Sequence, residues 1–173
     1  MELANIKQTV FWTDFVCAPG HLIIAATSQG LCYVGSPNGR VEDLFGWTEK
    51  HIPNHQLVRD PVVMNDYVRQ FDEYFQGRRS TFTFPLAFYG TAFQTSVWAA
   101  LQQIPYGRSR SYTDVAISMQ RPKSVRAIAA AIGANPLLIA VPCHRVIGKS
   151  GALTGYRGGL DMKAWLLTLE GKE

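Results

Sequence analysis

The sequence predicts an α+β protein in two parts: strands followed by helices over residues 1–88, then a helical part with a helix-turn-helix over residues 89–173. Three observations predict it. Runs of β-branched and aromatic residues, broken by turn residues, crowd the first half. Apolar residues recur at helical spacing behind N-capping signals through the second half. Charge divides at the same place: residues 1–88 hold seven Lys/Arg and nine Asp/Glu, a balance of −2, whereas residues 89–173 hold ten and four, a balance of +6.

The elements follow in order. "TVFWTDFVC" and "HLIIAAT" read as strands joined at the Pro19-Gly20 turn, and "LCYVG" as a third, giving a meander. A helix is predicted over 39–50, weakened by Gly46. A second begins at Asp60 as N-cap with Pro61 in the first helical position, carries Met64, Tyr67, Val68, Phe71 and Phe75 on one face, and closes at Gly77. "STFTFPL" alternates as a short strand that Pro85 keeps near an edge. Thr91 and Gln94 form a capping box for a helix with Phe93, Val97, Leu101 and Ile104 as its stripe, ended by Pro105-Tyr106-Gly107. Ser111 and Asp114 repeat the box for a helix through Met119, with Tyr112 in its first turn. After the "QRP" turn, Val125, Ile128, Ala129 and Ile132 form the inward face of another helix, which leaves Arg126 leaning toward solvent. A last helix from Leu160 places Met162, Trp165, Leu166 and Leu169 at core spacing and ends at Glu170-Gly171.

Composition narrows the function classes. Apolar residues make up 47% and charged residues 17% of the 173, the balance of a globular rather than a disordered chain. No apolar run is long enough to span a bilayer, and the N-terminus lacks a basic segment followed by an apolar core, so a cytoplasmic location is expected. Three cysteines, at 17, 32 and 143, are too few and too scattered for a disulfide framework. Cys17, His21 and Cys32 have unhelpful spacing for a zinc site, and no metal is expected. Between Pro105 and Leu160, Arg108, Arg110, Arg121, Lys123, Arg126, Arg145, Lys149 and Arg157 are opposed only by Asp114. Such a concentration suits a polyanion-binding face.

The segment "LLIAVPCHRVIG" at 137–148 sets a thiol, an imidazole and a guanidinium at the end of a predicted buried strand. A thiol reacts as its thiolate, and at an ordinary pKa only roughly 3% is ionised at pH 7. Cys143 therefore needs a base and positive charge; His144 is the only histidine of the second half, and Arg145 and Lys149 offer charge nearby. In an extended chain, adjacent side chains point to opposite faces, so His144 has to act through a water or across a sharp bend. That disfavours a direct dyad of the cysteine-protease kind. Glu170, in a last helical turn, opposes the helix dipole at a cost of ~0.5 kcal/mol unless paired, and is a candidate to orient His144. Asn135-Pro136 reads first as a helix stop and second as an amide near the thiol.

Taken together, "IPYG" (104–107), "SYTDVA" (111–116), "SVRAIAAAIGANP" (124–136), "PCHRV" (142–146), "GYRGGL" (155–160) and "WLLTLEG" (165–171) resemble the O6-alkylguanine-DNA alkyltransferase family, the methylated-DNA--protein-cysteine methyltransferases. The N-terminal half resembles that family only in size and in its strand-then-helix order. The resemblance implies a ribonuclease H-like N-terminal domain, mainly structural, and a winged-helix-like alkyltransferase domain. It implies a methylated-DNA--[protein]-cysteine S-methyltransferase without cofactor, which repairs O6-methylguanine, and O4-methylthymine, in double-stranded DNA. Each monomer would act once, away from any membrane.

The same resemblance implies roles. Cys143 accepts the alkyl group, His144 takes the thiol proton through a water, Glu170 holds the imidazole, and Asn135 braces the turn. Tyr112 crowds the target phosphate and gives a proton to departing guanine. Arg126 fills the place of the flipped base. Tyr156, Arg157 and Gly158 and the backbone at Val146 shape the base pocket, with Arg157 standing where relatives often have a small neutral residue. Thr113, Arg121, Ser124 and Lys149 meet the DNA, and the small Ala127, Ala130 and Ala131 suit a minor-groove approach of the second helix. Three other readings stand beside this one. They are an alkyltransferase-like damage-binding protein, which would lack the acceptor cysteine; a helix-turn-helix regulator, which leaves Cys143 unexplained; and a cysteine hydrolase.

Overall fold

A computed structural model describes residues 6–171. The chain forms two compact units, Met1–Tyr89 and Gly90–Glu173.

In the first unit, β1 (Gln8–Cys17), β2 (Gly20–Thr27) and β3 (Gly30–Val34) form the expected antiparallel meander. A fourth strand, β4 (His55–Arg59), pairs parallel with β1, giving the order β3-β2-β1-β4. β4, a five-residue strand that follows helix α1 (Val41–His51) after a short turn, was not among the predicted elements. Ile23 and Ala25 of β2 pack with Val10, Tyr33, Leu44 and Ile52 into one core, joined by Trp12, Trp47 and Tyr89. Helix α2 (Asn65–Phe75) brings Phe71 to Phe15 of β1 and into a cluster with Phe82 and Phe84.

Two predicted elements differ here. The helix begins at Asn65, not at Asp60: the Asp60 carboxylate accepts from the amides of Val62 and Val63, both at 3.0 Å, and caps a separate turn before the helix. Gly77, at φ +72, closes it as expected. Residues 80–86 form no strand; one bridge, Leu31 to Leu86, is all that pairs. Proline at 85 supplies no amide, so the Phe82/Phe84 alternation serves aromatic packing instead of a ladder.

The second unit is helical. α3 (Ala92–Leu101) starts on the Thr91/Gln94 box, with amide-to-side-chain bonds of 3.1 and 3.0 Å. Its Trp98 is buried and donates from Nε1 to the Ala131 carbonyl at 2.9 Å, tying α3 to α5 (Val125–Gly133). α4 (Tyr112–Ser118) starts on the Ser111/Asp114 box. α4 and α5, joined by a turn through Gln120 at φ +58, are the predicted helix-turn-helix. A short parallel ladder joins β5 (Arg110–Ser111) to β6 (Val146–Ile147), and α6 (Leu160–Glu170) packs Met162 and Leu166 inward. Ala131 is buried, so of the three small residues only Ala127 and Ala130 face outward. Among the described residues no helix is long and apolar enough to cross a membrane.

Candidate active site and nucleic-acid interface

The site is assembled from the end of α5 onward. Asn135, buried just past the helix, accepts from the Leu137 amide at 2.9 Å through Oδ1. Its Nδ2 reaches the Val141 carbonyl at 3.2 Å and the Cys143 sulfur at 3.1 Å. One amide thus ties the start and the end of the 137–143 segment together. That segment is not the predicted buried strand. Its apolar side chains other than Ala140 are buried, but successive turns, including Ile139 at φ +71, wind it around Asn135. Its apolar run records burial and not extension.

Cys143–Arg145 then form one 3-10 turn, so the chain bends sharply here and is not extended. Cys143 faces a cavity of about 470 Å³, while His144 turns to Glu170 at the end of α6. Nε2 of His144 and Oε1 of Glu170 are 2.8 Å apart, both side chains buried. Arg145 binds the same carboxylate through Nε at 2.9 Å and Nη2 at 2.8 Å, and its Nη1 donates to the Ile104 carbonyl at 2.6 Å. A carboxylate accepting two guanidinium bonds is ionised, so Nε2 of His144 carries the proton and Nδ1 presents a lone pair. Nδ1 meets no protein partner among the described residues.

The expectation that Arg145 and Lys149 supply positive charge to the thiol is therefore corrected. Arg145 is committed to Glu170, and Lys149 is exposed. Burial pushes the Cys143 thiol up. Against it work the Asn135 hydrogen bond and then the charges of Arg157 and Lys163. Burial likewise pulls His144 below its ordinary value, although the Glu170 bond opposes this. Both shifts favour the neutral thiol and the neutral imidazole near neutral pH.

Lys163 was not foreseen. It is fully buried on α6, donating to the Val146 carbonyl at 2.6 Å and the Thr154 carbonyl at 2.9 Å, and so fastens β6 to the 153–157 segment of the cavity wall. The signal was present: Lys163, Leu166, Leu167 and Glu170 fall at i, i+3, i+4 and i+7, which puts both charges on the apolar stripe.

Tyr112, Asn135, Cys143, Tyr156 and Arg157 line the cavity together with Thr154 and Gly155. Its volume lies in the range of small-ligand sites. The Tyr112 hydroxyl sits at the rim beside Thr154, with the Oγ1 contact at 3.3 Å. Arg157 donates from Nε to the Asn135 carbonyl at 3.1 Å. Two predicted pocket residues do not line the cavity. Val146 is buried and its carbonyl is taken by Lys163. Gly158 stands behind Tyr156: a Cβ there would lie 2.7 Å from Tyr156 Cε1 and 2.6 Å from Met162 Sδ.

Arg126 is exposed on α5 as expected, and Arg121, at the preceding turn, lies with its guanidinium 5.6 Å from the Phe93 ring centre. Ser124 is the N-cap of α5, with no side-chain bond to the helix, and Thr113 occupies the first turn of α4. Cys17, His21 and Cys32 are not gathered: their side chains bond to the Gly20 carbonyl, Asp14 and the Ala25 carbonyl respectively.

A basic helix-turn-helix unit joined to a buried, cavity-facing thiol beside a histidine–carboxylate pair is the arrangement of a DNA-binding domain that carries a cysteine site. Residues 92–172 match the family description "6-O-methylguanine DNA methyltransferase, DNA binding domain", and residues 10–88 match "6-O-methylguanine DNA methyltransferase, ribonuclease-like domain". The chain belongs to the 6-O-methylguanine DNA methyltransferase family. It is 49% identical over 164 residues to the inducible methylated-DNA--protein-cysteine methyltransferase of Bacillus subtilis, covering 95% of this chain and 92% of that protein. The Methanosarcina acetivorans protein of the same name is 41% identical, covering 94% and 99%. The O6-methylguanine methyltransferase of Mycobacterium tuberculosis superposes with a TM-score of 0.79 at 36% identity, covering 94% of this chain and 93% of that one. A structure of the Mycobacterium tuberculosis protein in complex with DNA gives 0.77, covering 94% and 92%.

Proposed function

We propose that this chain repairs duplex DNA by taking the alkyl group of O6-methylguanine, and of O4-methylthymine, onto Cys143 in a single, irreversible turnover. The observation that carries the reading is the Cys143 sulfur in the wall of a cavity, with an amide on it and a histidine–glutamate pair directly behind it.

The steps follow from the chemistry of the site. A base stacked in the duplex cannot bring its O6 substituent to a buried sulfur, so the nucleotide has to flip, at a cost of a few kcal/mol. Arg126 enters the vacated place, while Arg121, Ser124, Thr113 and Lys149 hold the backbone, and α5 meets the minor groove through Ala127 and Ala130. Tyr112 crowds the phosphate and protonates the leaving guanine. His144, held by Glu170, takes the thiol proton through a water, and the thiolate attacks the methyl carbon in line. The cavity is shaped by Tyr156 and Arg157, with Val146 and Gly158 supporting the wall. The product is a thioether, which offers water no carbonyl to attack, so the protein is spent. No cofactor enters the scheme, and one copy per lesion suffices.

Incubation with duplex bearing radiolabelled O6-methylguanine tests this. Label is expected on the protein at one per chain, and none on Cys143→Ala. Repeated turnover, or label surviving that substitution, contradicts it.

A further inference from the structure

Among the described residues, two buried side-chain polar atoms have no hydrogen-bond partner: Nδ1 of His144 and the hydroxyl of Tyr156. Each costs about 1–3 kcal/mol if nothing meets it. They are not scattered through the molecule. Tyr156 lines the cavity that Cys143 lines, and His144 follows Cys143 in one 3-10 turn. Both unpartnered atoms therefore belong to residues beside the thiol, one in the same cavity wall and one next in the chain, and the sulfur itself accepts from Asn135 Nδ2 at 3.1 Å.

We propose that Tyr156 is a positioning residue for methyl transfer, its hydroxyl anchoring the one water that links the Cys143 sulfur to Nδ1 of His144. The inference rests on the reading of Cys143 as acceptor with a water as proton carrier. A buried water makes about three hydrogen bonds. A water held only by sulfur and imidazole swings; a third bond from a fixed donor sets its direction. The Tyr156 ring is such a fixture, since Gly158 is packed so closely against it that no Cβ fits.

The proton balance is simple. At rest the water accepts from the Cys143 S–H and from the Tyr156 hydroxyl and donates to Nδ1. The S–H bond breaks and its proton joins the water as another water proton passes to Nδ1. Thiolate and imidazolium form with no net change of charge, and the water is restored. The S–C bond then forms as the C–O6 bond breaks, and the electron pair leaves with guanine, which takes its proton from Tyr112. Tyr156 keeps its own proton throughout. Burial holds this phenol well above its ordinary value, and a Cys143 thiolate, once formed, adds to that against the charge of Arg157.

Tyr156→Phe keeps the ring and removes only the hydroxyl. Cys143 alkylation by a small haloacetamide, followed across pH by peptide mass, should shift to higher pH in the variant. Transfer from O6-methylguanine duplex should slow about tenfold, the worth of one ordinary hydrogen bond to the water. A merely structural ring leaves the pH profile and the transfer rate at wild-type values, and that result overturns the proposal. If wild-type protein accepts no methyl, the repair reading fails by itself, and the haloacetamide profile still decides the role of Tyr156. A high-resolution crystal structure gives a second test: a water bonded to Sγ, Nδ1 and the Tyr156 hydroxyl supports the proposal, and a bridging water without the tyrosine contact defeats it.

Discussion

Glu170 holds His144 and Arg145 at once: Oε1 lies 2.8 Å from His144 Nε2 and 2.8 Å from Arg145 Nη2, with the carboxylate withdrawn from solvent. A carboxylate in the last turn of a helix faces an unfavourable dipole. Here two partners from the 3-10 turn offset it, and they link α6 to the residue next to the thiol. The same carboxylate thus fixes a tautomer and neutralises a buried guanidinium.

Glu170→Gln is expected to damage both. It leaves the Arg145 charge buried without its counter-charge, a change worth about 3 kcal/mol in denaturant unfolding. It also leaves His144 free to take the other tautomer, so methyl transfer should fall by about a hundredfold or more, the scale of lost general-base assistance. Stability and transfer rate measured on the same preparation check both effects.

Stability should fall on both sides of neutral pH for identifiable reasons. His144 is held below its ordinary value of 6.5, chiefly by burial. As pH drops below that value the unfolded chain takes up the proton first, so stability is lost downward from there. Asp14, Asp66, Glu73 and Asp114 are lowered carboxylates and add their losses only further into acid, below their ordinary 3.8 to 4.5. Cys143 is held above its ordinary 9.0 by burial, so the unfolded chain ionises first above that pH and stability falls as pH rises. Cys17 and Cys32, pushed up to about 12, do the same. Cys143→Ser should therefore reduce the alkaline slope of the unfolding midpoint without abolishing it. An unchanged slope counts against the buried-thiol assignment.

Gly158→Ala tests the clamp behind the cavity. The added methyl meets Met162 Sδ at 2.6 Å and the Tyr156 ring at 2.7 Å, so one of them has to move. Overpacking of this kind costs about 1–3 kcal/mol. Displacement of the ring should lower the transfer rate, read in single-turnover kinetics, more than it lowers affinity for duplex.

Local patterns made several placements legible: the capping boxes at Thr91 and Ser111, an outward Arg126 on α5, and Glu170 at a helix end, whereas the roles given to Cys143, His144 and Tyr112 came from the family motifs. Failures came where tertiary packing overrode a local signal. The oily run at 137–141 looked extended because apolar strands and apolar turns share a composition, and only the Asn135 amide, bonded across the segment, decides between them. Arg145 looked like a thiol's neighbour in sequence, yet Glu170 claims it from 25 residues away. Lys163 passed unnoticed because its partners are backbone carbonyls, which no side-chain pattern reports.

Arg126→Ala separates duplex entry from chemistry. The side chain is exposed on α5 and does not line the Cys143 cavity. Transfer from duplex O6-methylguanine should fall clearly, whereas reaction with the free base O6-methylguanine should stay near the wild-type rate. Equal losses in the two assays would remove the wedge role.

The most direct measurement is peptide mass spectrometry of protein recovered after exposure to an excess of duplex carrying O6-methylguanine. The peptide containing Cys143 should be heavier by one methylene unit in every chain, with Cys17 and Cys32 unchanged and one lesion repaired per molecule. Repaired DNA beside an unmodified Cys143 peptide would contradict the central claim.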